Sequence, residues 1–231
     1  MTERTDTIVV AGRASGRLGA PDFAREVHHV HHRYAAEVVG AHGLCPHMAR
    51  DPRRAFGTFV VVLDLELDVN VAAEAVVSAA SPVVHVVFPL VEVDVRTFEE
   101  WGQEVHRAVA HVFGARGETA PVHAAFHPAM RGDATSAARL VGLLRQAPDP
   151  FLQFVPEGLQ AGGTQFIDLS TFDPETFVAP PAPKAFDNFD RLSPHEVDAI
   201  RDRIAAIHRE RDLRYAPFLE AWTTPRRRAE G

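Results

Sequence analysis

Apolar residues return at steps of three and four through Phe23, Val27, Val30, Tyr34 and Val38, which predicts a helix that starts at Pro21 or Asp22 and faces a core. Gly40 and Gly43 follow that stripe and end it. The pattern then changes. Ala55 to Leu65 is a nearly continuous apolar run, as expected of a strand covered on both faces, and Asp68 can cap a helix over Val69–Ala80. Pro82 opens a second β-branched strand, and Thr97 with Glu100 forms a capping box for a helix whose stripe is Phe98, Trp101, Val105, Ala108, Val109 and Val112. Val122–Phe126 is a short third strand. Asp133 and Thr135 begin a helix with Leu140, Leu143 and Leu144 inward, and Phe151–Val155 is a fourth strand.

Before and after this alternation the pattern is weaker. Ile8-Val9-Val10 could form a short strand, and the glycines at 12, 16 and 19 do not fit a dinucleotide-binding spacing. From Pro156 a proline-rich connector leads to Ser193-Pro194-His195-Glu196, a strong helix start. Val197, Ile200, Ile204 and Ile207 carry that helix to about Arg211; its face either packs on the core or makes a homodimer contact. Arginines alternating with acids mark its outer side as solvated. The organisation expected is a flexible segment 1–20, an α/β core 21–155, and a connector plus helix 156–231. The core reads as a two-layer α/β sandwich (α/β or α+β) with a parallel or mixed four-stranded sheet, a ferredoxin-like arrangement being the alternative.

Composition narrows the function classes. A chain of 231 residues with 46% hydrophobic and 24% charged residues can bury a substantial core. The formal charge of −7 argues against nucleic acid or an anionic membrane as partner, and the longest apolar runs are too short to span a bilayer. The N-terminus lacks the layout of a secretory signal, and one cysteine suits a reducing compartment, so a cytoplasmic protein is expected.

Chemistry concentrates in Glu26–His47. On the helix, His28 and His32 lie four apart on one side and could chelate a transition metal such as zinc or copper. Just past the helix, Cys45 sits in a Leu-Cys-Pro-His turn. His42, His47 and nearby arginines could stabilise its thiolate or complete a ligand set, and a Cys-Pro dipeptide can also bind haem iron. His127, in Phe126-His127-Pro128, stands at the exit of the third strand, where α/β sheets gather ligand-binding residues. His106 and His111 fall off the helical stripe, as surface residues do.

These stretches resemble an uncharacterised bacterial family, domain of unknown function 1415. The likeness is carried by Val39-Gly40-Ala41-His42-Gly43-Leu44-Cys45-Pro46-His47, then Ala124-Ala125-Phe126-His127-Pro128, then Leu143-Leu144-Arg145, over about residues 30–155. His47 stands where the family has Phe, and the loop after His127-Pro128 is shortened, which marks a divergent member. The resemblance implies that Cys45, His127 and Arg145 share a site; it implies no reaction. Three functions follow as expectations. One is a small-molecule enzyme of acyl or amide type, with Cys45 as nucleophile, His127 as its base and Arg145 holding a substrate anion. Another is a metal or haem protein using Cys45, His42, His47 and the His28/His32 pair. The last is a non-catalytic binding or assembly module.

Overall fold

The computed structural model describes residues 7–40, 57–133, 135, 137–156 and 193–223. Among them, strands β1 (Thr7–Ala11), β2 (Thr58–Val62), β3 (Val84–Val87), β4 (Val122–Phe126) and β5 (Phe151–Val155) form one sheet in the order β1-β2-β3-β5-β4. β1, β2 and β3 are parallel, while β5 is antiparallel to both β3 and β4. Four strands therefore point one way, with β5 inserted against them. The helices between strands are α1 (Ala20–Tyr34, extended by a π-helical turn over Ala35–Gly40), α2 (Val69–Val77), α3 (Val95–Ala115) and α4 (Ala137–Leu144); α5 (Pro194–Thr223) follows β5.

The α/β class and the mixed sheet are as the pattern predicts, with five strands where four were expected. The additional strand is β1, which contains the Ile8-Val9-Val10 run read as a possible short strand within segment 1–20. It lies at the sheet edge and is only half covered, so it lacks the solid apolar run that announces β2. All five residues of β2 are buried. Phe59, Val61 and Leu63 meet α1, α4 and α5 on one face; Val60 and Val62 meet α2 and α3 on the other. Helices thus cover both faces, one layer more than a two-layer sandwich. The alternation of strand and helix through β4 also departs from the ferredoxin-like order.

Two helices differ at their ends. α3 begins a turn before the expected box, because Asp94 accepts from the Thr97 amide at 3.0 Å and Glu100 pairs with Arg96 instead. α5 has the predicted capping box, Ser193 with Glu196, but runs past Arg211 to Thr223. Tyr215, Phe218 and Trp222 extend it, their rings packing around Phe23 of α1 at 4.9–5.3 Å. The packing option for this helix is therefore realised. Ion pairs Arg33–Glu210, Arg214–Glu26 and Arg203–Glu37 flank the seam. No helix among the described residues is long and apolar enough to cross a membrane.

Candidate functional site

The carboxyl ends of β1–β4 share one edge of the sheet, and the turn entering β5 lies there too, since Phe126 and Val87 both pair with Phe151. Of the residues singled out from sequence, His127 and Arg145 come together at this edge. The His127 amide donates to the Arg145 carbonyl at 3.0 Å. The imidazole of His127, however, is already committed. It is 5% exposed; its Nε2–H donates to the Val93 carbonyl at 2.9 Å, and Nδ1 accepts from the Ala129 amide at 3.1 Å. Burial lowers its pKa, although the Val93 bond opposes this, so the ring is a neutral tautomer that locks the strand exit to the start of α3. Both ring nitrogens are thus engaged within the chain, and these bonds fix the orientation of the imidazole.

Arg145 is placed otherwise. It follows α4, whose approach is made close by two glycines: a Cβ on Gly142 would fall 2.2 Å from the Arg131 carbonyl oxygen, and one on Gly132 would meet the Leu143 amide at 1.9 Å. The Tyr34 hydroxyl donates to the Leu144 carbonyl just before it. The guanidinium lies 5.6 Å over the Phe126 ring, which itself stacks on Phe151 at 4.2 Å. It makes no hydrogen bond or ion pair among the described residues. Burial lowers its pKa from the ordinary arginine value, with Glu99 partly compensating. Such a group remains charged, and a half-buried charge without a partner is costly.

Arg145 forms one wall of a cleft of about 300 Å³ at the β4 edge, lined also by Glu99, Glu100, Gln103, His123, Ala124 and Ala125. His123 projects from β4 beneath α3, stacked between His106 at 4.8 Å and Phe154 at 5.8 Å. Gly102 lets α3 come this near: a Cβ there would stand 3.0 Å from Leu152 Cδ2 and 3.8 Å from His123 Nε2. Desolvation, with the neighbouring His106 and Arg145, pushes the His123 pKa down to about 4, so the ring is neutral at physiological pH. His106, expected on the surface, is half-buried and donates from Nε2 to the Pro121 carbonyl at 3.2 Å.

A second polar cluster lies at the same sheet edge, under α5. Asp149, in the Pro148-Asp149-Pro150 turn, is fully buried. Its Oδ2 accepts from His31 Nε2 at 3.0 Å and from the Tyr215 hydroxyl at 2.8 Å, and its Oδ1 accepts from Arg211 Nε at 2.7 Å. Arg211 also donates to the Pro89 carbonyl at 3.1 Å and packs over the Tyr215 ring at 4.8 Å. Burial alone would raise the Asp149 pKa, but the His31 hydrogen bond and the Arg211 charge outweigh it and hold the carboxyl below its usual range. Both carboxylate oxygens are satisfied, which makes the group a clamp joining α1, the β5 entry and α5.

The metal expectation gains no geometry. The His28 and His32 rings stand 6.2 Å apart, and His28 packs edge-on against Phe59 at 5.0 Å. No group of three or more His, Cys, Asp or Glu suited to a metal occurs among the described residues. His42, Cys45 and His47 lie outside them. His123 and Glu99 were not foreseen. The usable signal was period: His123 shares the α3-facing side of β4 with Ala125, and Glu99 follows the stripe residue Phe98 by one position. Compared with protein-family models, with curated proteins and with solved structures, the chain matches none.

Proposed function

We propose that this protein is a small-molecule enzyme whose substrate carries a carboxylate or phosphate group held by Arg145 in the cleft at the β4 edge. The observation that carries this reading is the guanidinium itself: half-buried, seated on an aromatic ring, and without an anionic partner among the described residues. Arginine presents a planar fork that matches carboxylate and phosphate oxygens, and an anion there would offset the desolvation it now bears. His123, neutral and without a hydrogen bond among the described residues, is the nearby group able to exchange a hydrogen bond or proton with substrate. Acyl or amide chemistry with Cys45 as nucleophile is the reaction class of this proposal, because a thiolate is a strong nucleophile toward carbonyl carbon; the resemblance to family 1415 supports only that Cys45 shares the site with Arg145.

The test is a thermal-shift screen of small carboxylates and phosphate esters against the wild type and Arg145→Met. Ligands that raise the wild-type melting temperature and leave the variant unmoved support the reading. Equal shifts in both proteins contradict it. For a ligand found in this way, turnover lost in Cys45→Ser with binding retained would support the nucleophile; turnover kept would remove it.

A further inference from the structure

The acidic wall of the same cleft bears on what else the ligand carries. Glu100 is engaged by Arg96, Nε to Oε1 at 2.7 Å, so its charge is already answered along α3. Glu99 is not. It makes no hydrogen bond or ion pair among the described residues, although it lines the cleft and its field reaches the Arg145 guanidinium. An acid and a base thus share one small cleft, each unanswered, and they do not close on each other as an ion pair. A ligand with a single negative charge would satisfy Arg145 while meeting repulsion from Glu99. A ligand with both charges would satisfy the two together.

We propose, building on the Arg145 reading, that the cleft selects a small zwitterion, an α-amino acid or a compound ending in the same carboxylate–ammonium pair, with its carboxylate on Arg145 and its ammonium on Glu99. His123, which lines the same cleft, contacts the ligand as a neutral imidazole and adds no net charge to the balance. A volume of about 300 Å³ accommodates such a head group.

The full-length chain is titrated, by calorimetry or by NMR at pH 7, with L-alanine, N-acetyl-L-alanine, L-alaninamide and inorganic phosphate. The expected result is alanine binding at least about tenfold more tightly than N-acetylalanine, which keeps the carboxylate and lacks the ammonium. Glu99→Gln, an exposed change that leaves the fold intact, should shrink that ratio to about twofold or less. Equal binding of alanine and N-acetylalanine by the wild type would overturn the zwitterion and leave the anion anchor standing. A ratio unchanged in Glu99→Gln, or alaninamide binding best, would also overturn it. If alanine, N-acetylalanine and phosphate all fail to bind up to tens of millimolar, the anchor falls as well, so the two readings fail in distinguishable ways.

Discussion

Two half-buried arginines at the same edge of the sheet have been put to opposite uses. Arg211 reaches a fully buried carboxylate, a backbone carbonyl and an aromatic face; Asp149 chiefly, with Asp212 and Tyr215, raises its pKa above the ordinary value despite desolvation. Among the described residues Arg145 has the aromatic face alone, and burial lowers its pKa. Both bear the cost of leaving water. Among the described residues only Arg211 recovers it. The difference separates a group that holds the fold from one that the described residues leave without an anionic partner, and the proposed anion anchor rests on it more than on burial or residue type taken singly.

The sharpest way to break the comparison is to remove the clamp. Asp149→Ala leaves Arg211, His31 and Tyr215 facing an empty buried position, and should cost about 3–5 kcal/mol of stability by urea unfolding. A loss below about 1 kcal/mol would mean that the cluster is not holding α5. Tyr215→Phe removes one hydrogen bond to the same carboxylate and keeps the ring on Phe23, so about 1–2 kcal/mol is expected. Arg145→Met stands at the other pole. It should change stability by less than about 1 kcal/mol, in either direction, while anion binding falls by about a hundredfold.

A smaller effect lies in the pH dependence. A histidine whose folded pKa is depressed binds fewer protons folded than unfolded, so stability falls as pH drops from the free-imidazole value of 6.5 through the folded value of about 4 for His123. His127 and His208, both lowered chiefly by burial, act in the same direction. Asp149 adds to the loss at lower pH: its folded pKa lies below 3.8, so its stabilisation is complete above that value and is lost as pH falls through the folded one. Unfolding curves between pH 7 and pH 4 should show declining stability, and His123→Gln should flatten part of the slope. A wild-type curve that is flat over this range would contradict the assignment of His123 as neutral.

Much of the fold was legible because its elements obey strong periods. The stripe from Phe23 to Val38, the solid run of β2 and the box at Ser193 each announce one structure, and each forms. β1 was faint because an edge strand with one open side carries little apolar signal. The site was less legible, for a reason that period cannot repair. His127 stands where a strand-exit histidine was expected, yet its role depends on the Val93 carbonyl 34 positions away. Asp149 stands between two prolines in a turn with no periodic signal, and Arg211 reads as one more charge on a solvated face. Their meeting with His31 joins three distant segments, and a sequence does not show which charges meet across such distances. His31 lies between the metal-spaced His28 and His32 in sequence and is 1% exposed in the core. Arg145 was named through a motif, and its unanswered charge is visible only when its surroundings are.

The central claim is that Arg145 is an anion anchor and not a structural arginine like Arg211. The most direct measurement follows the Nε–H resonances of both arginines by NMR while phosphate or N-acetylalanine is added to the full chain at pH 7. The account predicts that the Arg145 signal moves, saturates and is joined by the His123 ring, while the Arg211 signal stays in place; Arg145→Met should abolish the His123 response at an unchanged melting temperature. An Arg145 signal that ignores both anions, or a His123 response that survives in Arg145→Met, would contradict it.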